Sequence, residues 1–334
     1  MLRQVLKSIF AFILNLLTMA CCCCSSSPKI ISKCGEIKGS RLKTNSGKNI
    51  FCFRGIPYAL PPVGQLRFRR SRPYGAWTGI WDGTKESKKS LQPNVLAPDK
   101  HYLSEGDEDC LYLNVYTKTL DDTAKLPVVV FIHGGAFAVG SCESLLYGPQ
   151  ILLEKDIVLV GFNYRLGTLG SLTLETDECP GNLGLHDQFL ALQWINENIT
   201  EFGGDISNIS LMGESAGSMS ALLHLVSPVS QGLFHRVIAL SGTPTTTFLH
   251  KDRRPRLYAL AVAEKLGCED LEDFDKVLLF LQSVPAKSIL KLSTLFQDWD
   301  ASHPMPWVPC LDTHAAEPMV PRGYVEAYII IILI

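Results

Sequence analysis

The run from Gly213 to Gly217 holds the residues whose types and spacing are best suited to chemistry. It reads Gly-Glu-Ser-Ala-Gly, so a glycine lies two positions before and two positions after Ser215. The apolar residues 209–212 predict a buried strand ahead of the run, and residues 218–223 predict a helix after it. A sharp turn between two such elements exposes the serine and leaves no room for side chains at the flanking positions. The pattern predicts that Ser215 is a nucleophile.

A serine hydroxyl that attacks a carbonyl group also needs N–H donors for the oxygen that becomes negative. The apolar residues 128–132 predict a strand that runs into His133, Gly134 and Gly135. The backbone N–H groups of such a glycine pair can turn toward an oxyanion, and Ala216, directly after the serine, offers a further N–H. We therefore predict an oxyanion hole formed by Gly134, Gly135 and Ala216.

The elements that must position these residues follow an alternating pattern. Short apolar runs at residues 111–116, 128–132 and 157–162 predict strands, and residues 186–201 predict a helix. Strands that alternate with helices favour an α/β fold with a mostly parallel central sheet flanked by helices. No Ser/Gly-rich linker divides the chain, so one domain is expected. Further elements are predicted as an edge hairpin of strands at 30–37 and 49–53, a strand at 236–241, and helices at 257–266 and 274–284.

The composition of the 334 residues argues against several classes of function. Hydrophobic residues make up 46% of the chain, which is enough for a sizeable core, and the formal net charge is -2 with both signs interspersed. This balance does not favour nucleic acid as a partner. No Cys-x-x-Cys pair follows the leading run of four cysteines, so no metal site is predicted, and no motif indicates a cofactor.

The amino terminus predicts a secretory signal peptide over residues 1–24. Arg3 and Lys7 give a positive start, and the apolar stretch at residues 9–20 is short for a stable membrane span. Secretion is therefore expected. The cysteines at 21–24 leave membrane anchoring by palmitoylation open as the alternative, if the segment were retained.

Secretion bears on two kinds of modification. Seven cysteines follow the leading run and invite disulfides, although an odd number cannot all pair with one another. Asn198, in an Asn-Ile-Thr sequon, is the candidate for N-glycosylation. The second sequon, at Asn208, adjoins a strand that is predicted to be buried.

Taken together, these motifs resemble the type-B carboxylesterase family, which includes the cholinesterases and the non-enzymatic neuroligins. The resemblance implies an α/β-hydrolase fold over residues 28–334 and hydrolysis of a small-molecule carboxylic ester through an acyl-enzyme on Ser215. It also implies two buried ion pairs, Arg54 with Glu108 and Arg165 with Asp187, in which loss of one partner costs about 3 to 5 kcal/mol. The matching segments are residues 53–59, 61–62, 66–68, 108–114, 133–135, 163–165, 181–182, 187–188, 202–205 and 213–217.

The chain also departs from the family pattern. The family's triad acid and histidine follow the serine at a greater distance than the residues after Ser215 provide, and neither Glu326 nor His224 suits these roles. We therefore expect a partial domain, incomplete at its carboxyl end and inactive alone. The resemblance places a cysteine near Ser90 opposite Cys110, so Cys110 is expected to be unpaired.

Three interpretations of function remain open at this stage. The loop at residues 84–107 lacks the tryptophan that binds choline in cholinesterases, which favours a general carboxylesterase acting on neutral esters. A non-catalytic extracellular binding protein similar to the neuroligins is one alternative, and Ser215 argues against it. An unstable truncated product is the other. The sequence favours no particular oligomeric state.

Overall fold

A computed structural model describes residues 27–94, 104–245, 255–292, 307–312 and 318–324. The predicted signal peptide, Glu326 and the apolar residues 328–334 lie outside these ranges. The strands are β1 (Lys29–Ser32), β2 (Gly35–Lys38), β3 (Ser40–Lys43), β4 (Asn49–Pro57), β5 (Ile80–Asp82), β6 (Gln92–Pro93), β7 (Ser104–Glu105), β8 (Tyr112–Thr117), β9 (Leu126–Ile132), β10 (Val158–Phe162), β11 (Gly204–Glu214) and β12 (Arg236–Leu240). The α-helices are α1 (Gly167–Ser171), α2 (Leu183–Asn198), α3 (Ala216–Val226), α4 (Pro255–Leu266), α5 (Phe274–Ser283) and α6 (Ala286–Lys291).

The central sheet has the strand order β12-β11-β9-β10-β8-β4-β3. The pairs β12–β11, β11–β9 and β9–β10 are parallel, whereas β10–β8, β8–β4 and β4–β3 are antiparallel. The expected layered α/β arrangement is confirmed, and the sheet itself is mixed. Its antiparallel half includes β3 and β4, whose short connection allows only an antiparallel pair. The parallel half carries the two motifs predicted to do chemistry.

The edge hairpin predicted for strands at 30–37 and 49–53 has a different partner in the structure. Residues 30–37 do not form one strand, because a tight turn ending at Gly35 divides them into β1 and β2, which pair with each other. These two strands and β5 form a separate small sheet. The hairpin at the edge of the central sheet joins β3 to β4 instead.

Side chains from one face of the parallel strands β9 and β10 form part of the main core, and those on the opposite face belong to a smaller cluster. All five residues of β10 are buried, and Val128, Val130 and Ile132 of β9 are fully buried. On one face Phe202 packs edge to face against Phe53, with ring centroids 5.3 Å apart. Burial of each such side chain stabilises the fold by about 1.5 to 3 kcal/mol, so this core fixes the register of the strands that carry the site.

A second core joins helices α4, α5 and α6 to Phe68, to Leu91 and to apolar residues between 169 and 183. Arg67 connects this core to the rest of the protein. Its Nη1 donates hydrogen bonds to the carbonyl oxygens of Leu281, Gln282 and Val284, which lie at the carboxyl end of α5. These carbonyls have no partner within the helix, so the guanidinium satisfies them and complements the helix dipole.

Both expected modifications meet an obstacle in the structure. All seven cysteines that it describes are free, so the expectation of disulfides is wrong for these ranges, and the expectation that Cys110 is unpaired is confirmed. Burial raises the pKa of the Cys110 thiol to about 12, beside the hydroxyl of Ser90.

Asn198 is fully buried at the end of α2, and its Nδ2 donates to the carbonyl oxygen of Trp194. This burial argues against the predicted glycan at Asn198, because this nitrogen is the one a glycan would occupy. In the ranges that the structure describes, no helix is both long and apolar enough to cross a bilayer.

Candidate active site

Ser215 stands at the junction of β11 and α3, where the sequence places it. Its backbone adopts φ 54° and ψ -119°, a conformation that residues other than glycine rarely take. Two backbone hydrogen bonds hold it there: the N–H of Ser215 donates to the carbonyl of Leu240 at 2.8 Å, and the N–H of Met219 donates to the carbonyl of Ser215 at 3.0 Å. The strained residue is therefore fixed by β12 on one side and by the first turn of α3 on the other.

Three glycines make this turn sterically possible. A Cβ at Gly213 would overlap the carbonyl of Gly217, and a Cβ at Gly217 would overlap the carbonyl of Ile132 in β9. A Cβ at Gly242 would overlap the carbonyl of Ser215 itself. The overlaps are with backbone atoms, which cannot rotate away, so each position requires glycine.

Two of the three predicted oxyanion residues, Gly134 and Ala216, lie next to the serine. A Cβ built on Gly134 would lie 3.1 Å from the Cβ of Ser215, so the backbone at Gly134 is close to the nucleophile. Ala216 is the first residue of α3, where its N–H belongs to the unpaired donors of a helix amino terminus. Gly135 has φ 105° and begins a tight turn whose hydrogen bonds are accepted by its own carbonyl oxygen.

The turn after Gly135 is strained as well. Ala136 and Phe137 have φ of 57° and 58°, and neither is a glycine. The N–H of Val139 donates to the carbonyl of Gly135 at 3.0 Å, and the N–H of Gly167 donates to the carbonyl of Phe137 at 2.6 Å. Two consecutive residues other than glycine with positive φ persist only where the surrounding structure holds them in that conformation.

His133 orders the start of this turn and is not placed to act as a base. Its ring stacks on Tyr164 with centroids 4.4 Å apart, and Nδ1 lies 2.9 Å from the carbonyl oxygen of Gly134. The hydroxyl of Tyr164 donates to the carbonyl oxygen of His133 at 2.9 Å. Burial lowers the pKa of His133 to about 4, so the ring is neutral at pH 7.

In the described ranges, the hydrogen bonds of the histidine side chains are made with residues other than Ser215. Both ring nitrogens of His224, which lies in α3, form hydrogen bonds with other side chains. Nδ1 lies 2.8 Å from Ser230 Oγ, and Nε2 lies 3.0 Å from Gln188 Oε1. Burial lowers the pKa of His224 to about 4 and that of His186 to about 3. His235 lies beside β11, where its Nδ1 accepts from the N–H of Ile209. The remaining four histidines fall outside the described residues.

His224 belongs to a buried polar chain that supports the turn from behind. Gln188 receives the Nε2–H of His224 and donates through Nε2 to Ser220 Oγ at 3.1 Å. Ser220 in turn donates to the carbonyl oxygen of Ala216 at 2.9 Å. Every member is satisfied when His224 is neutral, so the chain fixes α3 against α2 without a buried charge.

The structure confirms one of the two predicted ion pairs and changes the other. Arg165 and Asp187 form a fully buried pair, with Nη2 2.7 Å from Oδ1 and Nε 2.8 Å from Oδ2. Glu108 pairs with Arg67 at 2.6 Å, so the predicted Arg54–Glu108 pair is wrong.

Arg54 instead lies 3.2 Å from Glu86. It belongs to β4, whose register against β8 shifts between Phe53 and Ile56. Its side chain reaches the carbonyl oxygen of Thr84, at 2.6 Å from Nη2, in the segment that also holds Glu86. The shift in register is a local feature of the backbone that the sequence motif does not reveal.

A cavity of about 400 Å³ adjoins the site. Glu214, the residue before the serine, lines it together with apolar side chains from the sheet and from the loop after the oxyanion turn. The volume falls in the range of small-molecule sites. Representative lining residues are Phe131, Tyr147, Leu152, Met212 and Leu240. Within the described ranges, no group of three His, Cys, Asp or Glu side chains is arranged to hold a metal ion.

Comparisons with known proteins agree with this geometry. The model of the carboxylesterase family matches residues 26–325. The chain is 43% identical to juvenile hormone esterase of Tribolium castaneum over 222 residues, which cover 66% of this chain and 37% of that protein. It is 38% identical to Esterase FE4 of Myzus persicae over 324 residues, which cover 95% of this chain and 55% of that protein.

A solved structure is also similar, that of juvenile hormone esterase from Manduca sexta with OTFP covalently attached. The TM-score is 0.82 at 30% identity, over 91% of this chain and 57% of that chain. The chain belongs to the carboxylesterase family. This similarity confirms the α/β-hydrolase fold expected from the sequence. The chain spans between 37% and 57% of the length of these three relatives.

Proposed function

We propose that this carboxylesterase-family protein hydrolyses carboxylic esters through an acyl-enzyme on Ser215. The observation that carries the proposal is the strained backbone of Ser215 at φ 54° and ψ -119°, packed against the glycines of a second, equally strained turn. Such strain persists only where the surroundings enforce it, and a serine held in this way would present its hydroxyl group to the N–H donors that we propose.

The reaction proceeds in two halves. Ser215 Oγ attacks the ester carbonyl, its proton passes to a base, and the N–H groups of Gly134, Gly135 and Ala216 stabilise the oxyanion. Collapse of the tetrahedral intermediate expels the alcohol, which takes up that proton, and leaves an acyl-serine. Water then attacks the acyl-serine by the same route and releases the acid. We propose that the base is a histidine oriented by a carboxylate, both supplied by residues outside the described ranges.

The substrate class that we propose is a small neutral ester. The cavity beside Glu214 is lined mainly by aliphatic and aromatic side chains, which suit an apolar acyl or alcohol group. The only charged side chain among its lining residues is Glu214 itself, within the part of the chain that the structure describes. Neither an anionic substrate nor a nucleic acid fits such a site, because a carboxylate at its rim repels negative charge.

Covalent labelling tests the nucleophile directly. The protein expressed from its own gene should react with a fluorophosphonate probe, and mass spectrometry should find the adduct on the peptide that contains Ser215. Ser215→Ala should remove both the adduct and the turnover of a nitrophenyl ester. Ser207→Ala, which changes an exposed serine of the same strand, is the matched control and should keep both. Absence of any adduct would reject the enzyme and favour a binding role like that of the neuroligins.

We also propose that residues 1–24 are a signal peptide and that residues 28–334 belong to one α/β-hydrolase domain. The basic residues Arg3 and Lys7 ahead of an apolar stretch support the first proposal, and the continuous family match supports the second. Amino-terminal sequencing of protein recovered from the culture medium tests secretion. An uncleaved amino terminus in a membrane fraction would instead support palmitoyl anchoring.

A further inference from the structure

A buried glutamine lies behind the oxyanion turn and contacts its far end. Gln92, in β6, is only 3% exposed. Its Oε1 accepts from the N–H of Gly140 at 2.8 Å, and its Nε2 donates to the carbonyl oxygen of the same residue at 2.8 Å. The second hydrogen of Nε2 is donated to the carbonyl oxygen of Ser90 at 3.0 Å. The side-chain amide therefore forms hydrogen bonds with both backbone groups of Gly140, and both hydrogens of its Nε2 are donated.

Gly140, which Gln92 holds by these hydrogen bonds, lies against residues beside the nucleophile. It has φ 116°, and a Cβ built on it would lie 2.5 Å from His133 Nδ1 and 2.6 Å from the carbonyl oxygen of Gly134. The backbone at Gly140 thus lies directly against the start of the turn, and Gly134 lies against Ser215. Gln92 is connected to the reacting centre through two successive backbone contacts.

The turn needs such a restraint because its own conformation is unfavourable. Ala136 and Phe137 both have positive φ, so the segment would relax if its ends were free. One end is fixed by Tyr164, whose hydroxyl donates to the carbonyl oxygen of His133. Gln92 fixes the other end. Only a primary amide of this length can both donate to and accept from Gly140, since a carboxylate lacks the donor and an aliphatic side chain lacks both groups.

Gln92 itself is firmly held. The neighbouring Ser90 donates its hydroxyl to the carbonyl oxygen of Tyr164 at 2.6 Å, and the N–H of Leu91 donates to the carbonyl oxygen of Asp107 at 3.0 Å. The strand that carries Gln92 and the tyrosine that fixes the opposite end of the turn are thus joined. Both ends of the turn are therefore held by residues that are hydrogen-bonded to each other.

We propose that Gln92 is a positioning residue, which holds the oxyanion turn of residues 133–140 in the geometry that stabilises the transition state. It acts through Gly140 and touches no substrate. The inference rests on the proposed ester hydrolysis for its kinetic consequence, and its structural part stands apart from that activity. Because oxyanion donors act mainly in the transition state, loss of Gln92 should lower kcat and leave KM nearly unchanged.

Amide hydrogen exchange tests the structural part without any turnover. In Gln92→Leu the Gly140 N–H loses its acceptor, so its exchange should become at least about tenfold faster. Gln92→Glu keeps an acceptor for this N–H and should retain much of the protection. Gln282→Leu is the matched control, because Gln282 is also buried and donates to two backbone carbonyls, those of Gln65 and Arg67. Unchanged exchange at Gly140 in Gln92→Leu, with the variant folded by circular dichroism, overturns the proposal.

Kinetics test the positioning role. In Gln92→Leu kcat for a nitrophenyl ester should fall roughly 10- to 100-fold while KM changes by less than about threefold, since one lost oxyanion donor lowers kcat by about 10² to 10³, and the fall in kcat should be smaller in Gln92→Glu. The loss in Gln92→Glu is informative because the backbone contact is only half removed. A rise in KM at constant kcat, or an equal loss in Gln282→Leu, overturns the positioning role. If the unmodified protein neither hydrolyses the ester nor is labelled at Ser215, the proposed function fails, and the kinetic role of Gln92 fails with it. The exchange experiment still tests whether Gln92 holds Gly140.

Discussion

Acidification should destabilise the fold through His224. The imidazole is 1% exposed, and both of its nitrogens are occupied by Ser230 and Gln188. Burial lowers its pKa from 6.5 to about 4. A proton added to the ring would place a positive charge in the buried polar chain behind the nucleophile, with no carboxylate among the hydrogen-bond partners of the ring.

The size of the effect follows from the two pKa values. Between pH 6.5 and pH 4 the unfolded chain binds a proton at His224 and the folded chain does not, so the free energy of unfolding falls as the pH falls. A difference of about 2.5 pKa units corresponds to about 3 kcal/mol in total, at 1.36 kcal/mol per unit. From pH 7 to pH 5 the linkage relation gives a loss of about 2 kcal/mol from this one residue. Above pH 6.5 the contribution of His224 should no longer change.

Urea unfolding at several pH values measures this loss. The variant His224→Gln removes the titrating group, so the difference in unfolding free energy between pH 7 and pH 5 should shrink by about 2 kcal/mol relative to the unmodified chain. His235→Gln shows what removal of an exposed imidazole does. An unchanged pH dependence in His224→Gln would refute the reasoning, because it would mean that the proton is accommodated in the folded state. The absolute stability of the variant at pH 7 does not enter the comparison.

Three further predictions concern the ion pairs and the sequon. Arg67→Met should destabilise the chain by about 3 kcal/mol or more in thermal or urea unfolding, because it leaves Glu108 and the carboxyl end of α5 without a partner; an effect no larger than that of Arg54→Met would contradict this. Asp187→Asn should cost about 3 to 5 kcal/mol, since it leaves the buried Arg165 guanidinium uncompensated, and unfolding that matches the unmodified chain would count against it. Secreted protein should keep its electrophoretic mobility in Asn198→Gln, and a faster band equal to that after glycosidase treatment would show that this buried asparagine does carry a glycan.

The sequence predicted the site where the signal was local. The nucleophile turn is defined within five residues, because glycines are required at fixed positions where a Cβ would meet backbone atoms. The strands β9 and β10 were equally predictable, since each contains a continuous apolar run of about five residues. β10 is buried on both faces, whereas only one face of β9 is fully buried. In these cases one segment of chain contains both the cause and the consequence.

The errors arose where a partner is distant in the sequence. Glu108 had two arginines available, and the choice of Arg67 depends on how the loop before it packs against α5, more than 200 positions later. Asn198 has a complete sequon, yet it is buried at the end of α2 beside the turn between β1 and β2, where its Oδ1 accepts from the N–H of Lys33. No sequence signal marks Gln92, because a single glutamine in a short polar strand has no pattern that indicates a contact with Gly140.

Backbone strain connects the local motif to these distant contacts. Among the described residues, eight that are not glycine have positive φ. One is the nucleophile Ser215 itself, and three belong to the oxyanion turn or follow β12: Ala136, Phe137 and Ser241. Each is an unfavourable local choice, so local propensity alone would relax the site. What opposes relaxation comes from elsewhere in the chain, namely Tyr164 and Gln92 at the oxyanion turn and Leu240 at the serine. A five-residue motif can therefore identify the nucleophile, but its geometry depends on residues that the motif does not contain. Substitutions at these supporting positions should alter the reactivity of Ser215 without changing any residue of the motif itself.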